Sequence, residues 1–192
     1  MITLEINMKA EITLNLRTRE VYKLFERKIS GDRLFIEAIL HKINIVIGRC
    51  RKKDPVSLKV FYEMEKQLNA LTKTFSSEIK RFEDLLTKKK EFKDKQINFV
   101  VQFYPKIIVC NPMSIKLAEL IEVYDQLIAT LKLLRLAGCF DSDEIYFSNI
   151  KQHQQSTNQA LSKILLYNFK QPIASYCAKN KNELPTPPLI SF

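Results

Sequence analysis

The sequence predicts an α+β protein that is mainly helical. We expect an N-terminal strand-helix-helix unit, then a long helix, a short two-strand segment and two C-terminal helices. Three observations predict this class. The chain of 192 residues has only 3 Gly, too few for the turns of a many-stranded sandwich or barrel. Its first residues alternate between apolar and polar side chains. In most of the remaining segments, apolar residues recur every three or four positions, which is typical of helices.

The N-terminal segment alternates with unusual regularity. Every even position from Ile2 to Leu16 is apolar, and every odd position from Thr3 to Asn15 is polar. A period of two predicts one strand, or two strand segments, with one buried face. Thr18 is then expected to cap a helix over about 19–29.

A turn signal follows at Ser30-Gly31-Asp32, and the next helix is predicted over about 33–48. Its apolar residues run round most of the circumference, so this helix must be buried on several sides. One short helix and one strand cannot cover it. Either the downstream helices or a second copy of the chain must therefore do so.

Asp54-Pro55 combines a helix cap with proline at the first helical position. The helix that follows is predicted to reach about residue 90, with apolar residues at coiled-coil-like spacing and one defect at Glu78. Such a seam suits a hairpin within the chain as well as a dimer.

Two strand candidates come next, at 97–104 and 106–110, and Pro105 separates them. Proline favours a bend or an edge position. Asn111-Pro112 repeats the cap signal and predicts a Leu-rich helix to about residue 136.

Asp141-Ser142 predicts the start of a last helix, which runs to about residue 168. The tail has four prolines and no periodicity, so we expect it to be irregular. These patterns divide the chain into a strand-helix-helix region at 1–53, a helical region at 54–170 with the long helix and a short hairpin, and the tail at 171–192.

The net charge of +10 is concentrated in one segment. Residues 17–53 hold eleven Lys or Arg and four Asp or Glu, a net +7. Such clustering is the footprint of a phosphate-binding face, and the alternative is a pair of basic helices with no ligand. No apolar run approaches the length of a membrane span. Attachment to an anionic membrane surface is a weaker interpretation, and we expect no membrane partner.

The sequence offers little for catalysis or metal binding. The two histidines, His41 and His153, are isolated, and none of the common nucleophile, zinc-protease or nucleotide-binding motifs occurs. His41 is expected to be a packed or interface residue. The cysteines are scattered without a CxxC pair, which indicates reduced thiols of a cytoplasmic protein. We expect no enzyme activity, no cofactor and no metal site.

The segments 11–16, 18–27 and 30–32 follow the order strand, helix, turn and helix, and this order resembles the ribbon-helix-helix DNA-binding fold. In that fold, two chains pair their N-terminal strands into a ribbon that enters the major groove. The resemblance implies base contacts and phosphate contacts. Lys9, Glu11, Thr13 and Asn15 would face base edges, and the residues expected at phosphates are Arg17, Arg19, Lys23, Ser30, Gly31 and Arg33. The alternative is an edge strand paired inside the chain with 97–103.

A second resemblance spans about residues 9–165. Asp54-Pro55, Phe61-Tyr62-Glu63, Tyr104-Pro105, Asn111-Pro112 and the helix that ends at Leu133-Leu134-Arg135-Leu136-Ala137-Gly138 are similar to AcaB-type proteins of integrating conjugative elements. The resemblance implies a homodimeric bacterial transcriptional regulator that binds double-stranded DNA. Its C-terminal helices would set the dimer geometry or contact another regulator. The alternative is a non-enzymatic helical scaffold protein that works through the coiled-coil-like seam.

Overall fold

The computed structural model describes residues 9–29, 31–89, 97 and 99–167. Within them, five helices and a two-stranded antiparallel sheet confirm the predicted mainly helical α+β class. In chain order, the elements are β1 (Ala10–Thr13), α1 (Arg19–Glu26), α2 (Phe35–Arg51), α3 (Pro55–Thr87), β2 (Lys106–Val109), α4 (Pro112–Leu136) and α5 (Asp143–Leu166). The expected strand positions before residue 9 and the expected tail from residue 171 lie outside the described residues.

Three helices begin at the caps that the sequence predicts. In each, a side-chain oxygen accepts a hydrogen bond from a backbone N–H of the first turn, which would otherwise have no partner. The pairs are Asp54 with Val56 at 3.2 Å, Asn111 with Ser114 at 2.9 Å and Ser142 with Ile145 at 3.3 Å. Local sequence therefore determines where most of the helical framework starts.

Helix α4 forms the centre of the core. Its apolar residues at three- and four-residue spacing are buried: Leu117, Leu120, Ile121, Tyr124, Leu127, Ile128, Leu131 and Leu134. The other four helices and β2 all contact it. Helix α2, which was expected to need several covering elements, packs against α1, α3, α4 and α5 of the same chain.

The apolar seam of α3 closes within the chain. Met64, Leu68 and Phe75 are each 1% exposed, and α3 packs mainly along α4 and α2. The defect in this seam has a partner on α5, because Glu78 Oε2 lies 3.4 Å from His153 Nδ1. Burial lowers the pKa of His153, and Arg81 lowers it further, although the Glu78 carboxylate acts in the opposite direction.

The sheet joins the start of the described chain to a segment between α3 and α4. β1 and β2 are antiparallel, with Ala10 opposite Val109 and Thr13 opposite Lys106. Pairing continues past β1, because the backbone N–H of Phe103 donates to the Leu16 carbonyl at 2.8 Å. β1 therefore pairs inside the chain, and the structure differs here from the two-chain ribbon of the fold that the sequence resembles. Among the described residues of 97–104, only Phe103 forms a strand-like bridge.

Helix α1 ends three residues earlier than predicted. Arg27 is extended, with φ −65° and ψ 121°. Lys28 then forms an antiparallel bridge with Leu34, so the chain turns back into α2. Gly31 lies in this turn with φ +73°, a conformation that favours glycine. No helix in the described part of the chain is long and apolar enough to cross a membrane.

Candidate nucleic-acid interface

The strand segment keeps the two-faced pattern that the sequence predicts. Leu14 and Leu16 are fully buried. Thr13, which precedes Leu14, and Asn15, which lies between the two leucines, are exposed. The intrachain partner strand covers one edge of the segment and leaves these two polar side chains at the surface. These two expected base-contacting residues are therefore accessible to another molecule.

The other two expected base-contacting residues, Lys9 and Glu11, are also exposed and alternate onto the same face of the segment. Both line a groove of about 610 Å³, to which α1 and α2 contribute as well. Glu11 Oε1 lies 2.7 Å from Lys106 Nζ, so this carboxylate already has a cation partner on the neighbouring strand. All four expected residues thus lie at the surface, and Lys9 and Glu11 also border the groove.

Aromatic and aliphatic side chains form much of that groove, and polar groups lie among them. Tyr22 and Phe25 contribute from α1, and Leu40 and His41 from α2. His41 is exposed here. The expectation that His41 is packed within the protein is therefore wrong, and its alternative assignment to an interface stays a prediction.

A buried carboxylate holds the junction between the strand segment and α1. Asp125 on α4 is 1% exposed. Its Oδ2 accepts hydrogen bonds from the backbone N–H and Nε of Arg17, at 2.9 and 3.2 Å. Its Oδ1 accepts from the backbone N–H and Oγ1 of Thr18, at 3.0 and 2.7 Å. Thr18 is the N-cap of α1, but its side chain binds Asp125 and makes no cap bond.

Asp125 was not among the residues predicted for a site. It is one of three acidic residues of α4, with Glu119 and Glu122. The available signal was its position four residues after Ile121 and beside Tyr124, on the predicted inward side of the helix, because carboxylates are rarely buried without partners. Its partners could not be read from the sequence, since they lie 107 and 108 positions away.

The expected phosphate-binding residues near the sheet already have partners in the chain. Arg17 binds Asp125 and is 39% exposed. Arg19 lies 3.0 Å from Glu26 in an ion pair, and its guanidinium sits over the rings of Tyr22 and Phe103 at 5.5 and 5.8 Å. The Arg19–Glu26 ion pair is exposed and therefore weak, so Arg19 can still turn towards an anionic ligand, whereas Arg17 is held by the buried carboxylate of Asp125.

The remaining members of the expected phosphate set lie farther along the chain. Lys23 on α1 is exposed, and so are Gly31 and Arg33 in the turn before α2. Ser30 lies outside the described residues. The structure therefore places three of these four residues at the surface.

The basic run at 17–53 does not form one face. Arg17 and Arg19 lie beside the strand segment, whereas Arg27 and Lys42 point to α5. There, Arg27 Nη1 donates to Asn158 Oδ1 at 2.9 Å, and Lys42 donates to the Tyr167 carbonyl. Arg51, Lys52 and Lys53 are exposed at the turn between α2 and α3. The expectation of a single phosphate-binding face behind the strand is therefore wrong, because α2 carries its basic residues to different sides.

Within the described residues, no three His, Cys, Asp or Glu side chains are placed to hold a metal ion. Cys50, Cys110 and Cys139 are free thiols of intermediate exposure, and Cys177 lies outside the described part.

The architecture matches one known protein. A crystal structure of selenomethionine-containing AcaB from uropathogenic E. coli superposes on this chain with a TM-score of 0.58. The fold is AcaB-like. The superposition covers 82% of this chain and 78% of AcaB, at 15% sequence identity. No protein-family model matches the sequence, and a comparison with curated proteins finds no match.

The AcaB-like fold agrees with the structural part of the resemblance that the sequence carries across residues 9–165. At 15% identity, the likeness concerns the fold and assigns no role to individual residues. The roles of residues in the candidate interface must therefore be argued from this chain itself.

Proposed function

We propose that the chain is a bacterial, cytoplasmic transcriptional regulator that binds specific double-stranded DNA and is not an enzyme. The regulated genes would be those of a mobile, conjugative element. Two observations support the proposal: the AcaB-like fold and the resemblance of the sequence to AcaB-type proteins. The basic balance of the chain, +10 overall, agrees with an anionic partner.

The observation that carries the proposal is the outer face of the strand segment. β1 and β2 form a two-stranded antiparallel ribbon, and a ribbon of this width fits the major groove of B-DNA. Thr13 and Asn15 are exposed beside this ribbon. An asparagine amide can pair with adenine through two hydrogen bonds, and a threonine can bond to a base edge or touch a thymine methyl.

The proposed ribbon comes from one chain, because β1 already pairs with β2. A homodimer would then present two such ribbons to two half-sites. Arg19, Lys23 and Arg33 would supply phosphate contacts around each ribbon, and the C-terminal helices would contact the second copy or another regulator. The scaffold alternative is less favoured, since the middle of the α3 seam, with Met64, Leu68 and Phe75, is buried within the chain.

The test is binding-site selection with the full chain from a random duplex library, followed by fluorescence anisotropy on an enriched duplex. Thr13→Ala/Asn15→Ala should weaken binding to the enriched duplex by about 1–3 kcal/mol per lost base contact. Binding to an unrelated duplex should change little, because phosphate contacts dominate there. Ser148→Ala, an exposed change on α5, is the control and should leave both affinities unchanged.

Two outcomes would contradict the proposal. If no duplex binds saturably at low salt, the protein is not a DNA-binding regulator. If duplexes bind but selection enriches no sequence, DNA is bound without base recognition by the ribbon.

A further inference from the structure

Helix α3 has no net charge, but its acidic and basic side chains are distributed unevenly around the helix. Its 33 residues include five acidic and five basic side chains, so a count along the chain gives no reason to single it out. The fold sorts these charges onto different faces of the helix, which the following contacts show.

Three of the acidic residues of α3 turn towards neighbouring helices. Glu65 Oε1 lies 2.8 Å from Lys116 Nζ on α4, and Glu83 Oε1 accepts from Gln126 on the same helix at 3.3 Å. Glu78 lies against His153 on α5. Most of the acidic side chains of α3 therefore contact other helices of the bundle.

The lysines of α3 lie on the opposite side. Lys59, Lys66, Lys73 and Lys80 recur every seventh residue, and all four are exposed. Seven residues make almost two helical turns, so successive lysines stack on one face about 10.5 Å apart. On a helical projection, this face is directly opposite the buried stripe that contains Met64, Leu68 and Phe75.

Other exposed cations lie next to both ends of the helix. We define the α3 strip as the following nine residues: Arg51, Lys52, Lys53, Lys59, Lys66, Lys73, Lys80, Lys88 and Lys89, all of them exposed. At 1.5 Å per residue, α3 alone gives the strip a length of about 50 Å. Glu63, Glu83 and Asp84 are the exposed acidic residues of α3, and the nine cations of the strip outnumber them.

The side chains among these cations favour one kind of partner. Asn69, Ala70 and Ser77 are exposed, and they are small or polar. A membrane-binding helix would insert large apolar residues, and a partner helix would need an apolar seam. Tyr62, 48% exposed, is the large ring near this face among the described residues. A polyanion bound by charge needs neither feature.

Duplex DNA can supply a phosphate to every cation along the length of the strip. It carries one negative charge per ~1.7 Å of axis, so a 50 Å stretch presents about thirty phosphates. We propose that the α3 strip binds the phosphate backbone of duplex DNA without regard to sequence, as a contact separate from the β1–β2 ribbon. This inference rests on the proposed function in taking DNA as the partner.

Part of the N-terminal basic run is engaged within the chain, so a second contact would add to the phosphate binding beside the ribbon. Five of its cations have partners within the chain: Arg17, Arg19, Arg27, Lys28 and Lys42. The α3 strip gathers more exposed positive charge along a single line than the surface beside the ribbon does.

The experiment compares two double variants of the full chain that remove equal charge. Lys66→Gln/Lys73→Gln changes the centre of the strip, and Lys151→Gln/Lys163→Gln changes two exposed lysines of α5. Each protein is titrated with a random-sequence duplex of about 20 bp at several salt concentrations, and circular dichroism checks its fold. The strip variant should lose about two units from the magnitude of the log–log salt slope, whereas the control should keep the wild-type slope.

Each other outcome overturns the inference in a recognisable way. If the wild type binds duplex and the strip variant keeps its slope, the strip is not a DNA contact, although the proposed function stands. If the salt slope falls by the same amount in both variants, DNA affinity depends on the net charge of the protein and not on the position of these lysines. If the wild type binds no duplex, or binds only anionic vesicles, both this inference and the proposed function fail.

Discussion

Replacing Asp125 with alanine should destabilise the protein strongly, although the residue lies far from any predicted boundary or motif. Its carboxylate accepts four hydrogen bonds. Removing it leaves two backbone N–H groups and the buried Thr18 hydroxyl without an acceptor, and each such group costs about 1–3 kcal/mol. The Arg17 side chain is 39% exposed and can turn to water, so it adds little.

With some relief from water entering the space, we expect Asp125→Ala to lower the free energy of unfolding by about 3–5 kcal/mol. For a chain of this size, the melting temperature should fall by roughly 10 °C. Urea denaturation followed by circular dichroism measures the loss. Glu122→Ala, an exposed change on the same helix, is the control and should stay within about 0.5 kcal/mol of wild type. A loss below about 1 kcal/mol for Asp125→Ala would show that the carboxylate does not anchor the strand-helix junction.

Two further predictions concern α5 and α4. Burial lowers the pKa of His153 below its ordinary 6.5, so the unfolded chain binds the proton more readily, and stability should fall as pH drops from about 7.5 to about 5.5. His153→Gln should flatten that dependence in urea titrations at several pH values, and an unchanged dependence would assign it to other groups. Asn111→Ala removes the side-chain oxygen that caps α4, which accepts a hydrogen bond from the Ser114 N–H at 2.9 Å. It should cost about 1 kcal/mol in the same assay, and a loss near zero would mean that water or Asn44 replaces the cap.

The helical framework could be predicted because its signals are local. Asp54-Pro55 and Asn111-Pro112 place their caps and prolines side by side, and the observed helices start at Pro55 and Pro112. The end of α1 could not be predicted as well. It depends on the backbone bridge between Lys28 and Leu34, and local sequence signals do not predict which residues form such a bridge.

The candidate interface was predictable only in part. The alternation of residues correctly gave Thr13 and Asn15 an exposed face and buried Leu14 and Leu16, because side-chain direction in a strand depends only on its period. The strand's partner depends on which segment folds against it, and the alternation is equally compatible with a second copy or with β2. The distribution of charge around α3 could not be predicted for a similar reason. Glu65 and Glu78 contact residues of other helices, and the sequence does not show which helices pack against α3.

The long-range tie between the strand segment and α4 has a consequence for synthesis. Thr18 and Asp125 are 107 residues apart in the chain, and β2 also follows three helices after β1. During translation, the N-terminal strand leaves the ribosome long before its sheet partner and its buried carboxylate exist. Contacts at such separation form late and slowly. The nascent chain therefore carries an unpaired, half-apolar strand until most of α4 has emerged, which is the period when it is most exposed to aggregation.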